Sequence, residues 1–237
     1  MTWRWRIVSS LLLAVPALAA NLTVAVRMSH SRVAAVRQGH DYSGVVVWLD
    51  PADAGPPGPV RQPRLTMKQK DKRFVPHVLA AQVGATVQFP NLDAIFHSAF
   101  SNFSGQIFDF GLYPPGTSRG VTFSRPGVVR IFCNIHPSMS AVIVVLPYPW
   151  FGVSGPSGEI AIRDVPPGDY RLHVFHERAR QETLSALERR IAVSSGDEQL
   201  PPIEISETGY IEAPHKNKYG LDYPPATDAG GYAAGHK

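Results

Sequence analysis

The segment FCNIHPSM (132–139) places a thiol, an imidazole and a thioether at three-residue intervals, at Cys133, His136 and Met139. Apolar runs with the composition of β-strands lie on both sides of it, so we expect a loop that joins two adjacent strands. Side chains on a regular strand alternate between faces, whereas a loop at the end of a β-sandwich can direct all three inward. The segment therefore predicts a metal-binding loop on a β-sheet scaffold.

The donor atoms of this loop indicate which metal it would bind. Thiolate and thioether sulfurs are soft ligands and imidazole is borderline, so together they favour copper over calcium or magnesium. Two histidines and a cysteine with a weak methionine ligand form the blue-copper arrangement. Because the loop supplies one histidine, the second must come from elsewhere. His97 is the best candidate, since it follows a predicted strand and an Asn/Asp-containing turn.

Cys133 is the single cysteine of the chain, which excludes a disulfide within it. Its thiol is then buried and inert, paired with another chain, or used chemically. In the alternative interpretation Cys133 is a small buried apolar residue and Met139 fills the core. The convergence of several metal-binding side-chain types favours the metal site.

Other motifs around these residues resemble the cupredoxin family. The chain from about 74 to 146 carries a Gly-x-x-Val-x-Phe pattern followed by Asn, at 84–91, and a Pro-Gly pair, at 126–127, before the ligand-bearing strand. It is most similar to amicyanin and to bacterial plastocyanin-like proteins, and the amicyanin loop has the same Cys-x-x-His-x-x-Met spacing. The resemblance implies an eight-stranded Greek-key sandwich that transfers electrons. It implies one type 1 copper with these ligands: His97, Cys133, His136 and Met139.

The resemblance also assigns residues around the copper. We expect Ser98, Asn134 and Ile135 to surround the ligands, and His136 with Pro137 to form the electron port. Ser98 stands where cupredoxins commonly have Asn, and its shorter side chain puts the rigidity of the site in question. Ile135 replaces a proline of the amicyanin loop. Its N–H, if directed at the sulfur, would withdraw charge and raise the redox potential.

The N-terminus indicates export. Arg4 and Arg6 precede an apolar run that ends in small residues near Ala19, which is typical of a Sec-type signal peptide and predicts the periplasm. No later apolar run is long enough for a membrane span. The net charge of +4 falls to +2 without the two arginines, which gives no support to nucleic-acid binding. The basic stretch 61–73 is interpreted as a solvated surface in preference to a docking patch.

Short strands separated by Pro/Gly turns predict an all-β protein built as a β-sandwich or barrel. A second resemblance implies that the cupredoxin sandwich is inserted into another β-sandwich. The pattern 158–174 resembles carboxypeptidase regulatory-like, or transthyretin-like, domains, and residues 22–50 resemble their opening strands. A short helix is expected within 177–190. The expected organisation is a signal peptide (1–19), a discontinuous regulatory-like sandwich (20–62 and 148–205), a cupredoxin domain (63–147) and an irregular tail (206–237).

These features favour a non-enzymatic electron carrier between periplasmic redox proteins, such as a cytochrome or a dehydrogenase. The first alternative is a copper-binding protein for delivery, storage or sensing. The second is a binding module without metal. The combination of two histidines, a cysteine and a methionine favours electron transfer, because delivery sites are more often open and methionine-rich.

Overall fold

A computed structural model describes residues 19–102, 106–211 and 214–224. Strands predominate throughout these ranges, and the two helices among them are short. The prediction of an all-β protein is confirmed. The predicted signal peptide lies almost entirely outside the described residues. Within the described ranges, no helix has the length and apolar character needed to cross a membrane.

The elements of the described residues are, in chain order, β1 (Ala20–Ser29), α1 (Ala34–Gly39), β2 (Val46–Pro51), β3 (Arg64–Thr66), β4 (Lys68–Lys70), β5 (Arg73–Val75), β6 (Val78–Gln82), β7 (Thr86–Pro90), β8 (His97–Ser101), β9 (Phe108–Tyr113), β10 (Ser118–Thr122), β11 (Gly127–Phe132), β12 (Ser140–Leu146), β13 (Phe151–Val153), β14 (Glu159–Val165), β15 (Gly168–Phe175), α2 (Gln181–Leu187), β16 (Arg189–Val193), β17 (Glu198–Gln199) and β18 (Ile203–Ser206).

The middle of the chain forms a sandwich of two sheets. One sheet has the order β6-β12-β11-β8-β9 and the other has the order β10-β7-β3, with β4 and β5 forming a separate hairpin. Val87 and Phe89 of one sheet share a buried core with Ile131 and Ile143 of the other. Burial of large apolar side chains from both sheets stabilises this packing, at about 1.5–3 kcal/mol for each one.

The two ends of the described chain form a second pair of sheets. β14, β1 and β17 pair in that order, with β18 also on β1, and the other sheet has the order β13-β2-β15-β16. Leu22 and Ile162 from the first sheet pack with Leu49 and Leu172 from the second in a separate buried core.

A third apolar cluster joins these two parts. Val46 of β2 packs there with Val142, Val144 and Leu146 of β12 and with Val78 of β6. Alternate residues of β12 point instead into the core of the middle sandwich. A strand that is covered on both faces needs an apolar residue at every position, which explains the continuous run AVIVVL at 141–146.

Several strands were predicted within one or two residues, whereas others were not expected. The apolar runs of the sequence predict strands at 78–82, 128–132 and 141–146. β6 has the first of these bounds, and β11 and β12 begin one residue earlier than the other two. β8 was not predicted because all five of its residues are buried and include polar ones, so it has no alternating pattern. The expected helix within 177–190 is confined to α2.

Candidate metal centre

The segment 133–139 is the loop between β11 and β12. These strands are antiparallel, and Phe132 pairs with Ser140 directly across the base of the loop. Inside the loop, the backbone N–H of Cys133 donates to the carbonyl of Met139 at 3.1 Å. The N–H of Met139 donates to the carbonyl of His136 at 3.0 Å. These bonds fold the chain back on itself, which keeps the three residues close together.

His97 reaches the same end of the sheet from β8. That strand is the neighbour of β11, and Phe100 pairs with Phe132. Nδ1 of His97 lies 4.0 Å from Sγ of Cys133, and Nδ1 of His136 lies 3.7 Å from it. The donor atoms of the three residues all lie within 4.8 Å of one another. The structure therefore brings together three of the four residues that the sequence suggested, through atoms able to bind a metal.

The centre is enclosed by protein. Cys133, His97 and Met139 are fully buried, whereas His136 is partly exposed and Pro137 is exposed. Met139 packs in the same apolar core as Cys133. A buried cluster with one half-exposed histidine at its edge gives the centre a single imidazole near the solvent.

Hydrogen bonds favour the thiolate form of Cys133. Burial by itself raises the pKa of this thiol, because the charged form loses its hydration. Hydrogen bonds from His97, from the backbone N–H groups of Ile135 and Ser98, and from the Ser98 hydroxyl outweigh burial and lower the pKa. A thiolate is the form of cysteine that binds metals.

Ser98 connects the two chain segments that carry the donors. Its hydroxyl oxygen accepts a hydrogen bond of 2.7 Å from the backbone N–H of Asn134. The same hydroxyl donates to Sγ of Cys133 at 3.7 Å. The backbone carbonyl of Ser98 also accepts a bond of 3.4 Å from the side chain of Gln69. A serine is thus long enough to join the β8 strand to the ligand loop.

Asp93 holds the far side of the His97 ring, and the sequence did not single it out. Its Oδ2 lies 2.8 Å from Nε2 of His97, which fixes the ring with Nδ1 towards Cys133. Burial by itself lowers the pKa of His97, but the hydrogen bonds with Cys133 and Asp93 raise it. A carboxylate behind a histidine is a common support of metal ligands. In the sequence, the sign of this support is that Asp93 precedes His97 by four residues.

The tail also contacts the ligand loop, which the sequence did not predict. The hydroxyl of Tyr223 donates to the carbonyl of Cys133 at 2.8 Å. The backbone N–H of Lys218 donates to Oδ1 of Asn134 at 3.0 Å. The ring of His215 stacks on Phe132, with 4.2 Å between centroids. No sequence pattern links residues that lie more than 80 positions apart.

Three further histidines pair with carboxylates away from the centre. His77 lies 2.8 Å from Glu177, His173 lies 3.1 Å from Glu188, and His176 lies 2.9 Å from Glu207. Each of these histidines is accounted for as a structural residue by its carboxylate partner, and His176 is also buried. Among the described residues, the one cluster of three or more metal-binding His, Cys, Asp or Glu side chains is His97 with Cys133 and His136.

These residues fit a copper ion. Two imidazole nitrogens face one thiolate sulfur, and a methionine is buried in the same core. Nitrogen and sulfur donors of this kind suit copper and do not suit calcium or magnesium, which take oxygen ligands.

Comparisons with known proteins gave structural neighbours only. No protein-family model matches the chain, and the comparison with curated proteins gave no match. A copper-containing nitrite reductase (NirK) from Thermus scotoductus SA-01 is 29% identical over 40% of this chain, with a TM-score of 0.34. The match covers 25% of that protein, so this chain spans about a quarter of its length.

Two smaller proteins match over most of their own length. A purple cupredoxin from Nitrosopumilus maritimus is 22% identical over 35% of this chain and 98% of its own, with a TM-score of 0.31. An oxidised amicyanin variant is 20% identical over 35% of this chain and 83% of its own, with a TM-score of 0.34. Structural neighbours of the chain are thus cupredoxins. At these TM-scores the case for copper rests on the side chains of the centre itself.

Proposed function

We propose that this protein is a periplasmic electron carrier with one type 1 copper bound by His97, Cys133, His136 and Met139. The observation that carries the proposal is the approach of two histidine Nδ1 atoms to one buried cysteine sulfur, at 4.0 and 3.7 Å. Copper bound to these donors would accept and release single electrons by changing between its +2 and +1 states.

The supports around the donors suit this role. Ser98 fixes Cys133 to β8, Asp93 fixes His97, and backbone hydrogen bonds close the ligand loop. Donors that are held in place move little when the charge at the centre changes, and small movement favours rapid electron exchange. With four ligands from the protein no position is left for a substrate, so transfer is favoured over catalysis.

The electron port in this proposal is His136 with Pro137. His136 is the partly exposed donor of the centre, and Pro137 beside it is exposed. A partner that contacts this surface would come within a single side chain of the metal ligands. The partners we propose are periplasmic redox proteins, either a cytochrome or a dehydrogenase.

We further propose that the copper module, residues 63–147, is inserted into a regulatory-like sandwich formed by 20–62 and 148–205. What supports this is the division of the buried apolar residues. One core draws on 67–145, and the other draws on 20–49 and 160–205. The outer sandwich would act as a scaffold.

Voltammetry of the copper-loaded protein tests the function. The proposal predicts a reversible one-electron couple, retained in His40→Gln, an exposed histidine outside the centre, and absent in Cys133→Ser. Copper that binds tightly without a reversible couple, or that passes readily to a competing chelator, would support storage or delivery and overturn the proposal.

A further inference from the structure

The hairpin of β4 and β5, which we call the basic hairpin (residues 68–75), presents a row of cations to solvent. Lys70 pairs with Arg73 and Gln69 pairs with Phe74 across its two strands. Gln69 and Phe74 point inward and are buried. Strand alternation therefore directs the charged side chains outward. The exposed cations of the hairpin are Lys68, Lys70, Lys72 and Arg73.

The positive charge of the basic hairpin is largely unpaired. Lys70 has an ion pair of 3.6 Å with Asp71, which is itself exposed. In the part of the chain that the structure describes, the other three cations of the hairpin have no carboxylate within ion-pair distance. Surface cations without partners produce a positive potential that reaches about 10 Å at ordinary ionic strength.

The tip of the basic hairpin is joined directly to the metal centre. The Asp93 carboxylate accepts hydrogen bonds from the backbone N–H groups of Asp71, at 2.7 Å, and of Lys72, at 2.9 Å. The same carboxylate bonds His97. The ring of His97 in turn lies 4.9 Å from the ring of His136, centroid to centroid. The cations therefore lie beside the proposed electron port.

Exposed apolar side chains lie on the two chain segments that carry His97 and His136. Leu92 is 49% exposed and Phe96 is 42% exposed, and both belong to the segment that leads into His97. Pro137 is exposed next to His136 on the ligand loop. An apolar centre beside a charged rim is the usual composition of a protein-binding surface.

We propose that the basic hairpin, together with Leu92, Phe96 and Pro137, is the docking surface for a redox protein with an acidic surface around its redox group. This inference rests on the proposed function, because it names the class of partner for the same centre. Opposite charges orient two proteins as they approach, and apolar contact then excludes water between them. The partner gains the one electron that the reduced protein loses, and no bond or proton changes place.

The test uses one haem protein in two charge forms, native cytochrome c, which is cationic, and succinylated cytochrome c, which is anionic. The hairpin variant is Lys68→Glu/Lys70→Glu/Arg73→Glu, which leaves Lys72 and Asp93 in place. The control variant makes the same change in net charge at three exposed arginines outside the hairpin and the metal centre: Arg32→Glu, Arg37→Glu and Arg190→Glu.

Binding of the copper-free full chain to immobilised succinylated cytochrome c is the first readout. The parent protein and the control variant should bind at 20 mM salt and weaken about tenfold or more at 200 mM, since electrostatic association is screened by salt. The hairpin variant should bind succinylated cytochrome c at least about tenfold more weakly than the control variant does at 20 mM salt. Native cytochrome c should bind neither the parent protein nor the control variant. Equal weakening in the control variant, or unchanged binding in the hairpin variant, would overturn the proposal.

The second readout is the rate of haem reduction by the copper-loaded, reduced protein. We expect the hairpin variant to lose the acceleration at low salt while keeping a reversible copper couple. Hairpin-dependent binding without any copper couple would support the docking surface and overturn the proposed function. A reversible copper couple, with binding and reduction rate that do not depend on the hairpin, would support the proposed function and overturn the docking surface. A hairpin-dependent affinity for phosphatidylglycerol vesicles, with unchanged affinity for succinylated cytochrome c, would assign the hairpin to a lipid surface and overturn the proposal.

Discussion

Oδ2 of Asp93 lies 2.8 Å from Nε2 of His97, so one carboxylate orients a donor of the metal centre. The same side chain accepts two backbone hydrogen bonds from the turn of the basic hairpin. A single residue thus joins the metal centre to the charged surface beside it.

Replacement of this carboxylate should weaken metal binding. We expect Asp93→Asn to lower copper affinity by about 10- to 100-fold, the usual effect of removing a hydrogen-bond partner of a ligand histidine. Competition titration with a chelator measures it. The matched control is Asp71→Asn, at an exposed position in the turn of the basic hairpin, and it should leave the copper affinity unchanged. An Asp93→Asn protein with the parent affinity would show that His97 needs no support.

Removal of the Ser98 hydroxyl should destabilise the copper-free protein. Ser98→Ala leaves the N–H of Asn134 without its 2.7 Å acceptor, at a cost of about 1–3 kcal/mol in the free energy of unfolding. Ser101 on the same strand is equally buried, and among the described residues its hydroxyl has no hydrogen-bond partner. Ser101→Ala should therefore cost much less. Equal losses in denaturant unfolding of the two variants would contradict the role given to Ser98.

The backbone N–H of Ile135 should tune the redox potential. This group lowers the pKa of the Cys133 thiol, so it favours the negative charge on the sulfur. Withdrawal of electron density from the sulfur would raise the potential, so Ile135→Pro, which lacks the N–H, should lower it. One hydrogen bond of about 1.4 kcal/mol corresponds to about 60 mV for a single electron. Ile135→Ala keeps the N–H and serves as the control. An unchanged potential in the proline variant would count against this role.

Acid should destabilise the outer sandwich through Glu207. Burial by itself raises the pKa of this carboxyl, but hydrogen bonds from His176 and Ser31 and the charge of Arg178 lower the pKa to about 2. Because the pKa of Glu207 is depressed in the folded state, its ionised carboxylate adds to the free energy of unfolding. This contribution is present above pH ~4.5 and is lost as pH falls towards 2. Its size at neutral pH is on the order of 3 kcal/mol.

The matching variant is Glu207→Gln, with Glu204→Gln, exposed on β18, as the control. Denaturant unfolding between pH 7 and 2 should show a smaller acid loss for Glu207→Gln than for the parent protein, and the two curves should converge at the acid end. Parallel curves over the whole range would rule out Glu207 as the main source of this pH dependence.

The features that the sequence predicted depend on short spacings. Cys133, His136 and Met139 lie within one loop, and the apolar runs beside it predicted β11 and β12 to within one residue. The position of His97 followed from the turn before it. Local composition is enough for such features, because strand and turn preferences act over a few residues.

The features that the sequence did not predict depend on long-range contacts. Tyr223 bonds the carbonyl of Cys133 across 90 positions, and no periodic pattern records such a contact. Lys68 and its neighbours resemble any solvated strand until the fold places their turn against Asp93. β8 was missed because a strand that is buried on both faces has no alternation.

Titration of the copper-free protein with copper(II), followed by visible absorption, tests the central claim most directly. Copper bound to a thiolate gives an intense charge-transfer band. We predict that this band grows to one equivalent in the parent protein and in His77→Gln, which lies outside the centre, and is absent in Cys133→Ser. A colourless copper-loaded protein, or the same spectrum after Cys133→Ser, would contradict a blue-copper centre at His97, Cys133, His136 and Met139.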